Sequence, residues 1–137
     1  MEWCQVIDKD ETNGMNELTG AILAAAFKVH SALGPGLLES AYHDCLAHEL
    51  KKAGFAVRQQ VSLPIKYDGL ALETCYRMDM VVEDKVVLEL KALEKVLPLH
   101  HAQLLTYIKL SNKPVGLLLN FNVVRLVEGV KRMINTR

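Results

Sequence analysis

The chain has 137 residues, half of them hydrophobic, and sixteen Lys and Arg balance sixteen Asp and Glu. That length and composition close one core in one domain and exclude wholesale disorder. No apolar run reaches the roughly 18–20 residues of a membrane-spanning helix, and zero net charge gives no bulk argument for a polyanionic partner.

Residues 1–15 have mixed charge and no hydrophobic period, so they are expected to form a flexible leader before a single domain at 16–137. They lack the apolar stretch of a secretory signal, which points to a cytoplasmic chain. Helical signals begin at Asn16, a candidate N-cap. Ile22, Ala26, Val29 and Leu33 then recur on one helical face, and Gly34-Pro35-Gly36 stops the helix. A second helix is expected from about Leu37 to Ala53, with Leu38, Ala41, Cys45, Leu46 and Leu50 as its apolar stripe and Gly54 as its stop. The period then changes to two. Phe55, Val57, Val61, Leu63 and Ile65 alternate with polar neighbours, Asp68-Gly69 signals a turn, and Leu70 to Val82 reads as further strand. Glu83-Asp84 turns the chain into a strand over 85–91.

After Pro98 the helical period returns, with Leu104, Leu105 and Ile108 on the apolar side. Val115 to Phe121 is an unbroken apolar run, as in a fully buried strand reached by a parallel crossover. A final amphipathic helix is expected over about Val124 to Ile134. The order is ααβββ(β)αβα, an α/β or α+β fold with a mixed sheet. Residues 109–137 carry Lys109, Lys113, Arg125, Lys131, Arg132 and Arg137 against Glu128. Such a basic segment could follow a phosphate backbone or simply present a solvated helix face. Cys4, Cys45 and Cys75 are too widely spaced for a zinc framework; Cys45 and Cys75 read as core thiols and Cys4 as part of a loose end.

Three groups of residues carry candidate chemistry. A hairpin through Glu83-Asp84 would set Asp79 beside Glu89, and Glu89 and Lys91 share one face of their strand. Carboxylates in so apolar a setting need a partner. Two of them suit a hard cation such as Mg²⁺, while Lys91 could orient a water or meet phosphate charge; a plain ion pair of Lys91 with Glu89 or Asp79 is the other reading. Glu39 and Tyr42 lie three apart near a helix start. His100, Gln103 and Tyr107 share a helix face, opposite Leu104, Leu105 and Ile108. The adjacent His100 and His101 point about 100° apart and make a poor zinc site.

The ordered set Glu39, Asp79, Glu89-x-Lys91, Gln103 and Tyr107 resembles the PD-(D/E)XK nuclease superfamily in its RecB-like branch. Gly36-x-x-Glu39-x-x-Tyr42, with Gly116-Leu-Leu-Leu-Asn-Phe-Asn122, is similar to the GxxExxY group within it, over about residues 16–135. Met78 stands where the nominal motif has Pro. The resemblance implies a restriction-endonuclease-like core, a mixed sheet flanked by helices. It implies a phosphodiester hydrolase acting on DNA or RNA with Mg²⁺ or Mn²⁺. Asp79, Glu89 and the Leu90 carbonyl would bind metal, Lys91 would position water, and Glu39 would reach the metal from its helix. Gln103 and Tyr107 would face the scissile phosphate or buttress the site, with Tyr42, Arg77 and His100 as secondary candidates. If the fold serves instead as a binding module, phosphate contacts would come mainly from Lys109, Lys113, Arg125, Lys131 and Arg132. A catalytically weak nucleic-acid-binding or protein-interaction module on the same fold, or a homodimer, is the competing reading.

Overall fold

The computed structural model of the chain describes residues 9–73 and 76–136; Cys4 and Cys75 lie outside them. The first helix, α1, spans Lys9–Leu33 and buries Ile22, Ala26 and Val29 along one stripe. Asn16 is inside this helix and is not its cap, because the helix continues through Gly14 at a cost of only about 1 kcal/mol. Gly34, at φ +70°, ends it by donating its N–H to the His30 carbonyl at 2.7 Å.

The second helix, α2, spans Glu39–Lys52. Its buried stripe is Tyr42, His43, Leu46, Ala47 and Leu50; Leu46 and Leu50 are as expected, and Tyr42, His43 and Ala47 stand where Leu38, Ala41 and Cys45 were expected. Leu38 is 78% exposed, and Cys45 is half-buried against the core. The phase is set by Tyr42. Its ring stacks on Phe121 with centroids 4.6 Å apart, and its hydroxyl donates to the Gly34 carbonyl and accepts from the Leu37 N–H. That rotation turns Glu39 and His43 toward the sheet.

Among the described residues seven strands follow: β1 Val57–Leu63, β2 Lys66–Tyr67, β3 Leu70–Ala71, β4 Tyr76–Val82, β5 Val86–Lys91, β6 Val115–Asn120 and β7 Val130–Ile134. The main sheet has the order β1-β4-β5-β6-β7, and β2 and β3 form a separate hairpin. Asp68-Gly69 and Glu83-Asp84 all have positive φ, as the expected tight turns require. Asp84 is braced by Arg58 and Lys113 at 2.8 and 2.7 Å. The crossover helix α3, Pro98–Leu110, makes β5 and β6 parallel; the other neighbours in the sheet are antiparallel. The mixed sheet flanked by helices agrees with the expected fold class.

The last element differs from expectation. Leu126–Gly129 is a short 3-10 turn and Val130–Ile134 is a strand beside β6. Otherwise β6, buried at every residue, would be left with an open edge. One sheet face packs Met80, Val82, Leu88, Leu117 and Leu119 against α1 and α2. The other packs Val81, Val87 and Leu118 against Leu104, Tyr107 and Ile108 of α3. No helix among the described residues is long and apolar enough to cross a membrane.

Two glycines let backbones close up. A Cβ on Gly116 would meet Leu104 and Ile108 side chains at 2.8–2.9 Å, whereas one on Gly129 would strike the Asn120 carbonyl oxygen. Side chains can shift and a strand backbone cannot. Urea unfolding should therefore show Gly116→Ala losing about 1–3 kcal/mol and Gly129→Ala losing more than that.

Candidate functional site

The site forms where two ladders open around one residue. β4 and β5 pair through Met80–Leu88, Val81–Val87 and Val82–Val86, and the next position would join Asp79 to Glu89. There the side chains take over from the backbone. Asp79 Oδ2 accepts the Leu90 N–H at 2.8 Å, and Glu89 Oε1 accepts the Asp79 N–H at 3.3 Å. On the other side β1 and β4 pair at Gln59–Met80 and Val61–Met78, skipping Gln60 and Asp79. Gln60 has φ +51°, an uncommon conformation for a residue with a side chain.

Helix α2 completes the arrangement. His43 Nε2 lies 3.5 Å from Asp79 Oδ2 and 3.5 Å from Glu39 Oε1. Ligand atoms of Glu39, His43 and Asp79 all fall within 4.8 Å of one another. His43 is 8% exposed, and its buried Nδ1 has no hydrogen-bond partner among the described residues. Sequence reasoning missed His43. The usable signal was the i, i+4 spacing Glu39–His43, hidden by the mis-phased stripe.

The electrostatics follow from burial and crowding. Glu89 is 4% exposed. Burial, then the neighbouring Asp79 charge, pushes its pKa up to about 9. Burial also opposes ionisation of Asp79, but hydrogen bonds from His43 and the Leu90 N–H prevail and hold its pKa below the ordinary value. The bond to Asp79 raises the His43 pKa against the opposing effect of burial. A negative, oxygen-rich cluster results, with one imidazole at its edge. Hard divalent cations fit such a donor set, since they favour carboxylate oxygen and Mn²⁺ also accepts imidazole.

The remaining candidates divide into those near this cluster and those used elsewhere. Lys91 is half-buried at the end of β5, and the ion-pair partner of Asp79 is His43, not Lys91. Tyr107 is buried with Leu104 and Ile108, so it does not lie on a face opposite them. Its hydroxyl accepts a 3.0 Å bond from Gln103, and burial followed by the Glu89 charge raises its pKa. Tyr42 is fully buried in the Gly34–Leu37 loop contact described above. The Nδ1 of His100 accepts the Leu97 N–H at 2.9 Å and so caps α3. Arg77 is exposed on β4, opposite Ser62. Lys113 is tied to Asp84, while Lys109, Arg125, Lys131 and Arg132 are exposed. With β7 in place of the expected helix, Lys131 and Arg132 alternate across a strand and do not form one basic helix face.

Asn120 supports the end of β5. Its carboxamide accepts the Leu93 N–H at 3.0 Å and donates to the Leu93 carbonyl at 2.9 Å, while the Lys91 carbonyl accepts the Phe121 N–H. The chain leaving Lys91 is thereby fixed to the neighbouring strand.

Comparison with known proteins gives a consistent result. The family model described as the PD-(D/E)XK nuclease superfamily matches residues 16–133. A comparison with curated proteins returns no match. The crystal structure of SSO0001 is similar in fold, with a TM-score of 0.54 and 22% identity over 93% of this chain. The matched region is 63% of that protein's chain, so this chain spans less than two thirds of its length.

The raised pKa values fix a pH dependence. Folded Glu89 keeps its proton up to about pH 9 while unfolded Glu89 releases it near its ordinary value of 4.5. Its contribution is full below the unfolded pKa and disappears as pH rises through the folded one. His43, also raised, acts in the same direction from 6.5 upward. Urea unfolding in EDTA should show stability falling from about pH 5 to about pH 9, and Glu89→Gln should flatten that fall. An equal slope in wild type and variant would contradict the assignment.

Proposed function

This chain belongs to the PD-(D/E)XK nuclease superfamily, and on that premise we propose that it is a metal-dependent nuclease hydrolysing phosphodiester bonds of DNA or RNA. The observation that carries the reading is the pairing of Asp79 and Glu89 across the opened β4–β5 ladder, with Lys91 two residues on. Gly36-x-x-Glu39-x-x-Tyr42 supports membership of the GxxExxY group and of the RecB-like branch.

Asp79, Glu89 and the Leu90 carbonyl, with Glu39 and His43 beside them, are the groups that would hold Mg²⁺ or Mn²⁺. When bound, the cation supplies Lewis-acid stabilisation of phosphoryl charge and lowers the pKa of an attacking water. Glu89 would have to give up the proton it otherwise keeps to hold a cation, so its affinity for the metal would rise with pH. Lys91 extends from the same strand face as Glu89, where its ammonium orients the water and meets phosphate charge. Glu39, partly exposed, is able to accept a proton at the cleft side of the cluster. Gln103 holds the Tyr107 hydroxyl, and the pair buttresses Glu89 from the α3 side. Arg77 and the exposed cations Lys109, Arg125, Lys131 and Arg132 are left for phosphates farther along the strand.

Cleavage of labelled DNA and RNA should require Mg²⁺ or Mn²⁺. Asp79→Ala and Glu89→Ala should each lower kcat/KM by about 10³-fold. Cleavage that survives EDTA or Asp79→Ala overturns the reading. Oligonucleotide binding without cleavage under either metal would favour a binding module instead.

A further inference from the structure

A cleft of about 550 Å³ opens between α2 and β1, with Glu39, His43 and Asp79 on one side and Gln59 and Gln60 on the other. The cleft is an open groove, and Ser40 and Asp44 of α2 complete its lining. The two glutamines face the carboxylates without adding charge. Each carboxamide offers two donors and an acceptor, the groups that bond to a sugar, a base edge or a phosphate oxygen.

The backbone turns left-handed at Gln60, where β1 and β4 change faces of the sheet together: Val57 and Met80 pack on the α1–α2 side, and Val61 and Met78 on the α3 side. Pairing resumes in the same register on either side of it, Gln59 with Met80 and Val61 with Met78. No residue is inserted, so the left-handed turn at φ +51° does not accommodate a bulge. Glycine would adopt the same φ without steric cost. A glutamine held there places a carboxamide at the rim beside Asp79, and strain of this kind collects at functional sites.

We propose that Gln59 and Gln60 form a nucleotide subsite, holding the sugar and base next to a phosphodiester that would meet the cation held by Asp79 and Glu89. The subsite rests on the nuclease reading given above. Gln59 and Gln60 position substrate and take no part in bond making or breaking.

The test compares wild type with Gln59→Ala, Gln60→Gly and Gln60→Asn. Cleavage kinetics on a short oligonucleotide are measured in Mg²⁺, oligonucleotide affinity by fluorescence anisotropy in Ca²⁺, and stability by thermal melting. Gln60→Gly suits the positive φ, so it should melt at or above the wild-type temperature. It should nevertheless raise KM and weaken anisotropy binding by about 5–10-fold, the loss of one net hydrogen bond, with kcat within about twofold. Gln59→Ala should behave alike, and Gln60→Asn, which keeps a carboxamide and tolerates this φ, should recover part of the loss. Unchanged KM and affinity in Gln59→Ala and Gln60→Gly, beside an active wild type, overturn the subsite alone. A loss confined to kcat overturns it as well. A wild type that neither cleaves nor binds overturns the nuclease reading, and the subsite with it.

Discussion

Glu89 is almost wholly removed from water, and the nearest group of like charge is Asp79. Two carboxylates cannot both ionise in such a place without a counter-charge. Here the conflict is contained by a proton on Glu89, by the Leu90 N–H and by His43, with its raised pKa, against Asp79. In the proposed nuclease a divalent cation would take the place of the proton on Glu89, while the Leu90 N–H stays bonded to Asp79. The opening of the β4–β5 ladder follows from the same constraint. Backbone pairing would close the gap that the carboxylates occupy, so their side chains take over the ladder's hydrogen bonds at Asp79 and Leu90.

The motifs around the site are largely devices for holding that arrangement in position. Gly36-x-x-Glu39-x-x-Tyr42 contains one residue beside the cluster, Glu39, and one anchor, Tyr42. The Tyr42 ring stacks on Phe121 and its hydroxyl closes the loop from Gly34 to Leu37. This fixes the rotation of α2, and with it the approach of Glu39 and His43 to Asp79. Gly116 lets α3 settle on β6, and Asn120 clamps the chain that leaves Lys91. The apolar run Gly116–Phe121 is therefore the floor on which both helical layers and the end of β5 rest. Neighbouring elements meet at that floor, and the site lies beside it at the opened ladders.

Much of this was legible in the chain. Period-two alternation, two tight-turn signals and an apolar run after a helix suffice for a hairpin joined to a parallel crossover, since each depends on local backbone geometry. The turn signal at Glu83-Asp84 brings Asp79 alongside Glu89, and a three-residue loop, Glu83 to Lys85, sets the two opposite each other by the arithmetic of an antiparallel pair. The errors arose where local pattern left more than one answer. Val124 to Ile134 carries an amphipathic pattern, but β6 needed a neighbour on its open side, and pairing prevailed over helical period. The phase of α2 was ambiguous between two adjacent stripes until Tyr42 met Phe121, a contact across 79 residues of chain.

The sequence by itself thus determined the family of residues that could hold a cation, the order of most elements and the hairpin that joins Asp79 to Glu89, because those depend on composition and on neighbours a few positions away. Only the tertiary structure decided that His43 joins the cluster, that Tyr107 is buried with α3's apolar residues, that His100 caps its own helix and that Gln60 turns left-handed beside Asp79. Those outcomes depend on how far a helix rotates on a sheet and where a ladder opens. Both are set by packing between segments distant in sequence, which no local period records.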